Sequence, residues 1–256
     1  MTLATAGIVA CVLLLWRGLW LYLFVRNPQY EIKNLSIETG VAKTATEICE
    51  LTGLREGVNL FSFSAAKLRE QILFDTLNIS EAEISKKLPD SVRIVVRDRV
   101  PVLRLGPTST VLDRDGLVFT MLSQDADRYR AIPIVEDGNT RIDFRTGRRL
   151  RGVAGTPTSQ EGRIMRVLEL LNMIEKTPEI KVSVLYIDIS DDIYLRMQDS
   201  ANYEIKLIWE EIADDASLRM ALQLVSDVLR GPYVRGRRSI LVQLEPEPHV
   251  TCGVGF

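Results

Sequence analysis

The chain of 256 residues carries 32 Lys and Arg against 34 Asp and Glu, a formal charge of −2, with 46% hydrophobic and 26% charged residues. That is length for one or two domains with a real core, and a composition that excludes wholesale disorder and the basic footprint of a nucleic-acid-binding protein. Three cysteines (Cys11, Cys49, Cys252) without CxxC spacing argue against a disulfide framework and a cysteine zinc site, and any catalytic triad, dyad or histidine metal site would have to use His249, the single histidine.

The first element is a membrane-span candidate. Leu3 to Val25 is apolar except for Arg17. As a helix this stretch is about 34 Å long, enough to cross a bilayer core. Arg17 costs about 2.5–3.5 kcal/mol at mid-membrane, whereas the 12 Leu, Ile, Phe and Val residues return roughly 4–7 kcal/mol. Trp16, Trp20 and Tyr22 flank Arg17 and place it near one interface, where its head group can snorkel. No basic start and no small-residue cleavage site mark a signal peptide, so residues 3–25 are expected to be a retained, single-pass anchor. Charge specifies orientation poorly. Arg26 and Lys33 follow the span, and the positive-inside rule alone would leave the bulk of the chain inside.

Beyond the anchor, Tyr30–Ile37 alternates as a short strand. Thr44-x-x-Glu47 is a capping box opening a short helix with Ile48 and Leu51, and Gly53 and Gly57 bracket a turn. Ser64 caps a second helix with Leu68 and Ile72, and Phe63 and Leu68 are placed to form a hydrophobic staple. A strand over 77–88 turns at Pro89-Asp90 into another, with Val92, Ile94, Val96, Val100 and Val102 on one face and Arg93, Arg97 and Arg99 on the other. The order βααββ over 30–105 predicts a small α+β unit with two helices on one sheet face.

The remainder is strand-rich. Val111–Leu122 is a hairpin turning at Asp113–Gly116, Ile132–Val135 is a short strand, and residues 137–157 are a surface loop rich in Gly, Arg and Thr. Thr158-x-x-Glu161 opens a helix with Ile164, Val167, Leu168, Leu171 and Ile174 at helical spacing. Three alternating strands follow at 185–189, 193–197 and 203–209. A helix with Leu218, Ala221, Leu222, Val225 and Leu229 comes next. The last strands are 239–244 and 249–254, split by Glu245-Pro246-Glu247-Pro248. The fold class is therefore α+β: an anchor at 3–25, the βααββ unit, and a mixed strand-rich domain with two helices over 108–256.

Several stretches together carry a resemblance. They are Val41–Thr44, Glu47-Ile48, Gly57-Val58-Asn59-Leu60-Phe61, Ala82–Ser91, Val95–Val102 and the hairpin Val111–Phe119. With the apolar anchor before them, they resemble the POTRA domain and the opening of the β domain of the FtsQ family of bacterial cell-division proteins, called DivIB in Gram-positive bacteria. Members usually carry a cytoplasmic tail before the anchor, and here almost nothing precedes it. The resemblance implies a non-enzymatic scaffold in the inner membrane, with the bulk of the chain on the periplasmic side. It also implies that the last strand, His249, Val250, Thr251, Cys252, Gly253 and Val254, receives an extended segment of a partner, FtsB or an FtsL-like protein. The alternative is a POTRA-containing component of outer-membrane protein assembly or secretion, which usually has several POTRA units or a following barrel.

No motif is catalytic. Asp113, Asp115, Asp188, Asp191 and Asp192 occupy turn positions, where Asp bonds its own backbone, and Asp113-x-Asp115-Gly116 lacks the rest of a calcium loop. No cofactor, metal, nucleic acid or small-molecule substrate is expected. The run Arg141, Arg145, Arg148, Arg149 and Arg151 reads as a solvated loop or a contact for anionic lipid, cell-wall polymer or an acidic partner. Cys49 and Cys252 read as small buried hydrophobes. Pro246 and Pro248 are the residues that would protect the terminal edge.

Overall fold

The computed structural model describes residues 12–127, 129–138, 140–152, 154–180, 182–199, 201–231 and 238–253. They form two compact units that divide between Arg99 and Val100.

The first unit begins with helix α1, described over 12–20 and ending in a π turn at Leu21–Val25. Among the described residues no helix is long and apolar enough to cross a membrane, and residues 3–11 of the predicted span lie outside them. Pro28–Tyr30 then form a 3-10 turn in which the Asn27 side chain accepts from the Gln29 N–H at 3.0 Å. The predicted strand at Tyr30–Ile37 is thereby shortened to β1, Asn34–Glu38.

Helices α2 (Ala45–Thr52) and α3 (Ala65–Asp75) follow, then β2 (Ile79–Lys87) and β3 (Ser91–Asp98). The sheet order is β1-β3-β2, with β1 parallel and β2 antiparallel to β3. The capping box forms as read: Thr44 Oγ1 accepts from the Glu47 N–H at 3.3 Å, and Glu47 Oε2 accepts from the Thr44 N–H at 2.8 Å. The Thr44 N–H bond first, then the Lys43 ammonium and the Thr44 hydroxyl, lower the Glu47 carboxyl to about 2. Gly53 ends α2 at φ 68°, a left-handed conformation that suits glycine. Ile48 and Ile72 bury against Ile79, Ala82, Val92, Ile94 and Val96, with Phe63 and Leu68 half-buried beside them.

Val100 corrects the predicted alternation: β3 stops at Asp98, and Val100 is 53% exposed. The predicted boundaries at 105 and 108 move for a related reason. Residues Leu103–Leu105 form β4, which pairs with the second sheet, so the small unit ends at Arg99.

The second unit holds a sheet of nine strands among the described residues, in the order β12-β11-β10-β9-β8-β7-β4-β5-β6. After β4 come β5 (Thr110–Leu112), β6 (Val118–Thr120), β7 (Ile134–Glu136) and helix α4 (Gln160–Lys176). Strands β8 (Val184–Asp188), β9 (Tyr194–Asp199) and β10 (Glu204–Ile208) lead to helix α5 (Asp215–Arg230), β11 (Ser239–Gln243) and β12 (His249–Gly253). The cap of α4 is Ser159, one residue after the predicted Thr158, accepting from the Gly162 N–H at 3.1 Å.

Ile164 and Val167 of α4 and Leu218, Leu222 and Val225 of α5 bury against Val135, Ile187, Leu195, Ile205, Leu207, Ile240 and Val242. The alternation that places these side chains under the helices turns Tyr186, Arg196 and Lys206 to the opposite face.

Candidate partner-binding edge

The predicted site residues His249–Gly253 form β12, at one end of the nine-stranded order; Val254 lies outside the described residues. β12 runs antiparallel to β11, with Ser239 opposite Gly253, Leu241 opposite Thr251 and Gln243 opposite His249. Its side chains alternate. Val250 and Cys252 are half-buried against the core, whereas His249 and Thr251 are exposed on the other face. The His249 ring contacts Gln243 Oε1 at 2.9 Å and the Glu247 carbonyl at 2.8 Å, fastening the turn between the strands. Cys49 and Cys252, both predicted buried, are half-buried instead, because α2 is short and β12 has core on one side only.

Backbone direction follows from one hydrogen bond. The Gly253 carbonyl accepts from the Arg238 N–H at 3.0 Å, so Gly253 directs its backbone toward β11. With the two-residue period of a strand, Thr251 and His249 do the same, and Val250 directs its N–H and C=O outward. Among the described residues no strand pairs with that outer side. Pro246 and Pro248 lie in the turn before β12, outside the strand, and so do not remove a backbone N–H from its edge.

Helix α5 lies over β11 and β12. Its α4-facing side is marked by Ser226 and Arg230, which both donate to the Glu179 carbonyl that follows α4. Leu224 and Val228 lie on the other flank and are half-buried against the same core as Val250 and Cys252. The sequence reading missed these two, although their i, i+4 spacing was the available signal.

Of the acidic residues weighed for chemistry, Asp188 departs from the turn reading: it ends β8 opposite Arg196, with Oδ1 accepting from the Ser190 N–H at 2.9 Å. Asp113 Oδ1 accepts from Asp115 and Leu117 N–H groups, and Asp191 Oδ1 accepts from Ile193 and Tyr194 N–H groups. Burial raises the Asp191 carboxyl, but these backbone bonds and Arg196 outweigh it and hold it below the usual carboxylate range. Tyr186 donates to Glu136 at 2.9 Å, and burial with that carboxylate pushes its phenol up to about 12. Among the described residues no group of three His, Cys, Asp or Glu is placed to hold a metal.

Residues 31–99, almost the whole of the small unit after α1, match the family described as the POTRA domain, FtsQ-type. The "Cell division protein DivIB" of Clostridium acetobutylicum is 26% identical over 99 residues, covering 38% of this chain and 39% of that protein. The "Cell division protein FtsQ" of Geotalea daltonii is 26% identical over 148 residues, covering 57% of this chain and 50% of that protein. Together these matches show a likeness to the FtsQ and DivIB proteins, resting on the POTRA unit in the family match.

The chain spans half or less of the length of these curated relatives. The match to FtsQ of Geotalea covers more residues than the small unit contains, so the likeness reaches into the strand-rich unit. The POTRA unit has an edge strand of its own in β2, and side chains tie that strand to the rest of the unit. Arg69 Nε, from α3, donates to the Ala82 carbonyl at 3.0 Å, and Lys86 Nζ is drawn to the Leu60 and Phe63 carbonyls at 2.6 Å each.

Proposed function

We propose that the chain is a non-enzymatic scaffold of the bacterial division machinery. It is anchored in the inner membrane through residues 3–25, with the bulk of the chain after them on the periplasmic side. It captures an extended segment of a partner membrane protein, FtsB-like or FtsL-like, by strand addition at β12. The observation that supports this most is the outward backbone of Val250 on an edge that no described strand covers. Strand addition draws its affinity from main-chain hydrogen bonds and its specificity from pockets for alternate side chains. Leu224 and Val228, half-buried against the same core as Val250 on a helix that lies over β12, supply an apolar flank for such side chains. The exposed helix surface at Leu13, Leu14 and Leu15 fits the membrane reading. The nine-stranded sheet with its two helices is no repeat of the POTRA unit, which favours the division reading over outer-membrane assembly.

The test separates backbone from side chain. Val250→Pro removes an outward N–H and should abolish capture of an FtsB-like segment while the far-UV circular dichroism is kept. Val250→Ala should retain capture. Thr251→Pro removes an N–H that faces β11 and should damage the edge itself. In the native chain the Val250 amide should exchange quickly alone and slowly in the complex. A folded Val250→Pro chain with full capture, or an unchanged Val250 exchange rate, places the contact elsewhere.

A further inference from the structure

The end of α1 is not a loose tether to the POTRA unit. Asn59 Nδ2 donates to the Phe24 carbonyl at 2.9 Å and to the Asn27 carbonyl at 3.2 Å. Phe61 meets the rings of Trp20, Phe24 and Tyr30 edge-on at centroid distances of 5.9, 5.2 and 5.0 Å. The Leu60 N–H donates to the Tyr30 carbonyl at 2.8 Å and the Ile32 N–H to the Val58 carbonyl at 2.9 Å, so the chain after α1 is stitched to the same loop.

This junction decides which end of the unit α1 meets. The Lys33 N–H donates to the Asp90 carbonyl at 2.8 Å, and Asn34 pairs with Ser91 at the start of β1 and β3. The β2–β3 turn therefore sits at the α1 end. At its tip Leu88 is 64% exposed, next to exposed Lys87, and Arg26 and Lys33 are exposed on the connection from α1. Lys86, in contrast, is turned inward over the Phe63 ring at 4.0 Å, and burial lowers its pKa. A lone exposed leucine is ordinary. One beside Lys87, in a turn whose Asp90 carboxylate is paired with Lys33 at 3.9 Å and so offset, fits the headgroup layer of a bilayer where an apolar helix arrives, since apolar side chains dip there while Lys and Arg meet anionic lipid.

We propose that the β2–β3 turn of the POTRA unit rests on the bilayer surface, with Leu88 entering the headgroup region and Lys87, Arg26 and Lys33 lying over anionic phospholipid. This rests on the reading of residues 3–25 as a membrane anchor. Phe74 provides the contrast: it is 84% exposed near the C-terminal end of α3, the end of the unit away from the turn.

The test uses the full chain in phosphatidylglycerol/phosphatidylcholine nanodiscs, with Cys11, Cys49 and Cys252 replaced by Ser. An environment-sensitive fluorophore is placed at Leu15→Cys, Leu88→Cys or Phe74→Cys. The labels at 15 and 88 should shift to the blue and lose intensity to doxyl-labelled lipid, that at 88 to the shallow doxyl position, and the label at 74 should do neither. Asn59→Ala should reduce quenching at 88 and leave it unchanged at 15. In the wild-type chain, a water-soluble acetylating reagent should modify Lys87 more slowly in phosphatidylglycerol discs than in pure phosphatidylcholine discs. A label at 88 that behaves like the one at 74 while 15 is quenched overturns this inference alone, as do equal acetylation rates. An unquenched label at 15 overturns the anchor reading, and this inference with it.

Discussion

The two ends of the nine-stranded sheet are finished in different ways. At the β6 end the chain returns and closes the edge: the Val118 N–H donates to the Arg148 carbonyl at 2.8 Å, and the Gly147 N–H donates to the Val118 carbonyl at 2.8 Å. The Leu150 N–H continues the stitching to the Gly116 carbonyl at 2.9 Å. Glu161 at the start of α4 holds this strap by accepting from the Arg148 guanidinium and from the Arg151 N–H. At the β12 end no described segment returns. Both terminal strands are short and partly apolar, so strand composition does not separate a closed edge from an open one. The difference lies in what the chain does elsewhere, and among the described residues it leaves β12 as the uncovered end, which is what the proposed strand addition requires.

Removing the open end should have the largest effect. Truncation after Glu247 deletes β12, should abolish partner capture, and exposes the β11 edge at Ser239, Leu241 and Gln243. That fresh edge should drive self-association, visible as a higher mass by light scattering, while the POTRA unit stays folded. A monomeric truncation that still captures the partner would break the comparison.

A core change far from either edge is the control. Ile94→Ala empties a fully buried position between α2, α3 and the three-stranded sheet and should cost about 2–5 kcal/mol of POTRA stability in chemical denaturation. Capture at β12 should persist at denaturant levels that leave the second unit folded. A cost under about 0.5 kcal/mol is typical of surface sites and would show that β3 is misplaced.

Loosening the closed end is a smaller perturbation. Glu161→Ala frees the Arg148 head group and the Arg151 N–H at a half-exposed site, for a cost of about 1 kcal/mol. Exchange of the Val118 amide should accelerate, while exchange at Val250 and partner capture stay unchanged. Slower exchange at Val118 would show that Glu161 strains the strap rather than holds it.

The smallest effect is acid-dependent. Glu47 has a folded pKa of about 2 against an ordinary value of 4.5, so its contribution is complete above about 4.5 and fades as pH falls toward 2. The Thr44 amide resonance should titrate with a midpoint near the folded value of about 2, and Glu47→Gln should remove the titration. Capture at β12 should not change between pH 7 and 5 on account of this group.

How much of this was legible in the sequence varied with the physics. The βααββ order, the Thr44–Glu47 capping box and the alternation of Leu195/Met197 and Ile205/Leu207 are local, and local patterns show in a linear reading. Strand β4 was hidden because Val100-Pro101-Val102 looked like the continuation of β3. The shift of partners at Leu103 depends on residues 112 and 134, far along the chain. The strap was hidden for a similar reason. Arg148 and Arg149 resemble a solvated run, and only their pairing with β6 and its turn reveals the role. For β12 the position was readable, but its outward-facing residue was not. That depends on the register with β11, which one hydrogen bond at Gly253 fixes.

The tie between Asn59 and the end of α1 has a mechanical consequence. Two carbonyl acceptors and a nest of four rings leave little room for the helix to swivel against the three-stranded sheet. A twist of α1 about its own axis is then passed into the POTRA unit as torque instead of being lost in a slack linker. Asn59→Ala would turn that coupling from a drive shaft into a leash.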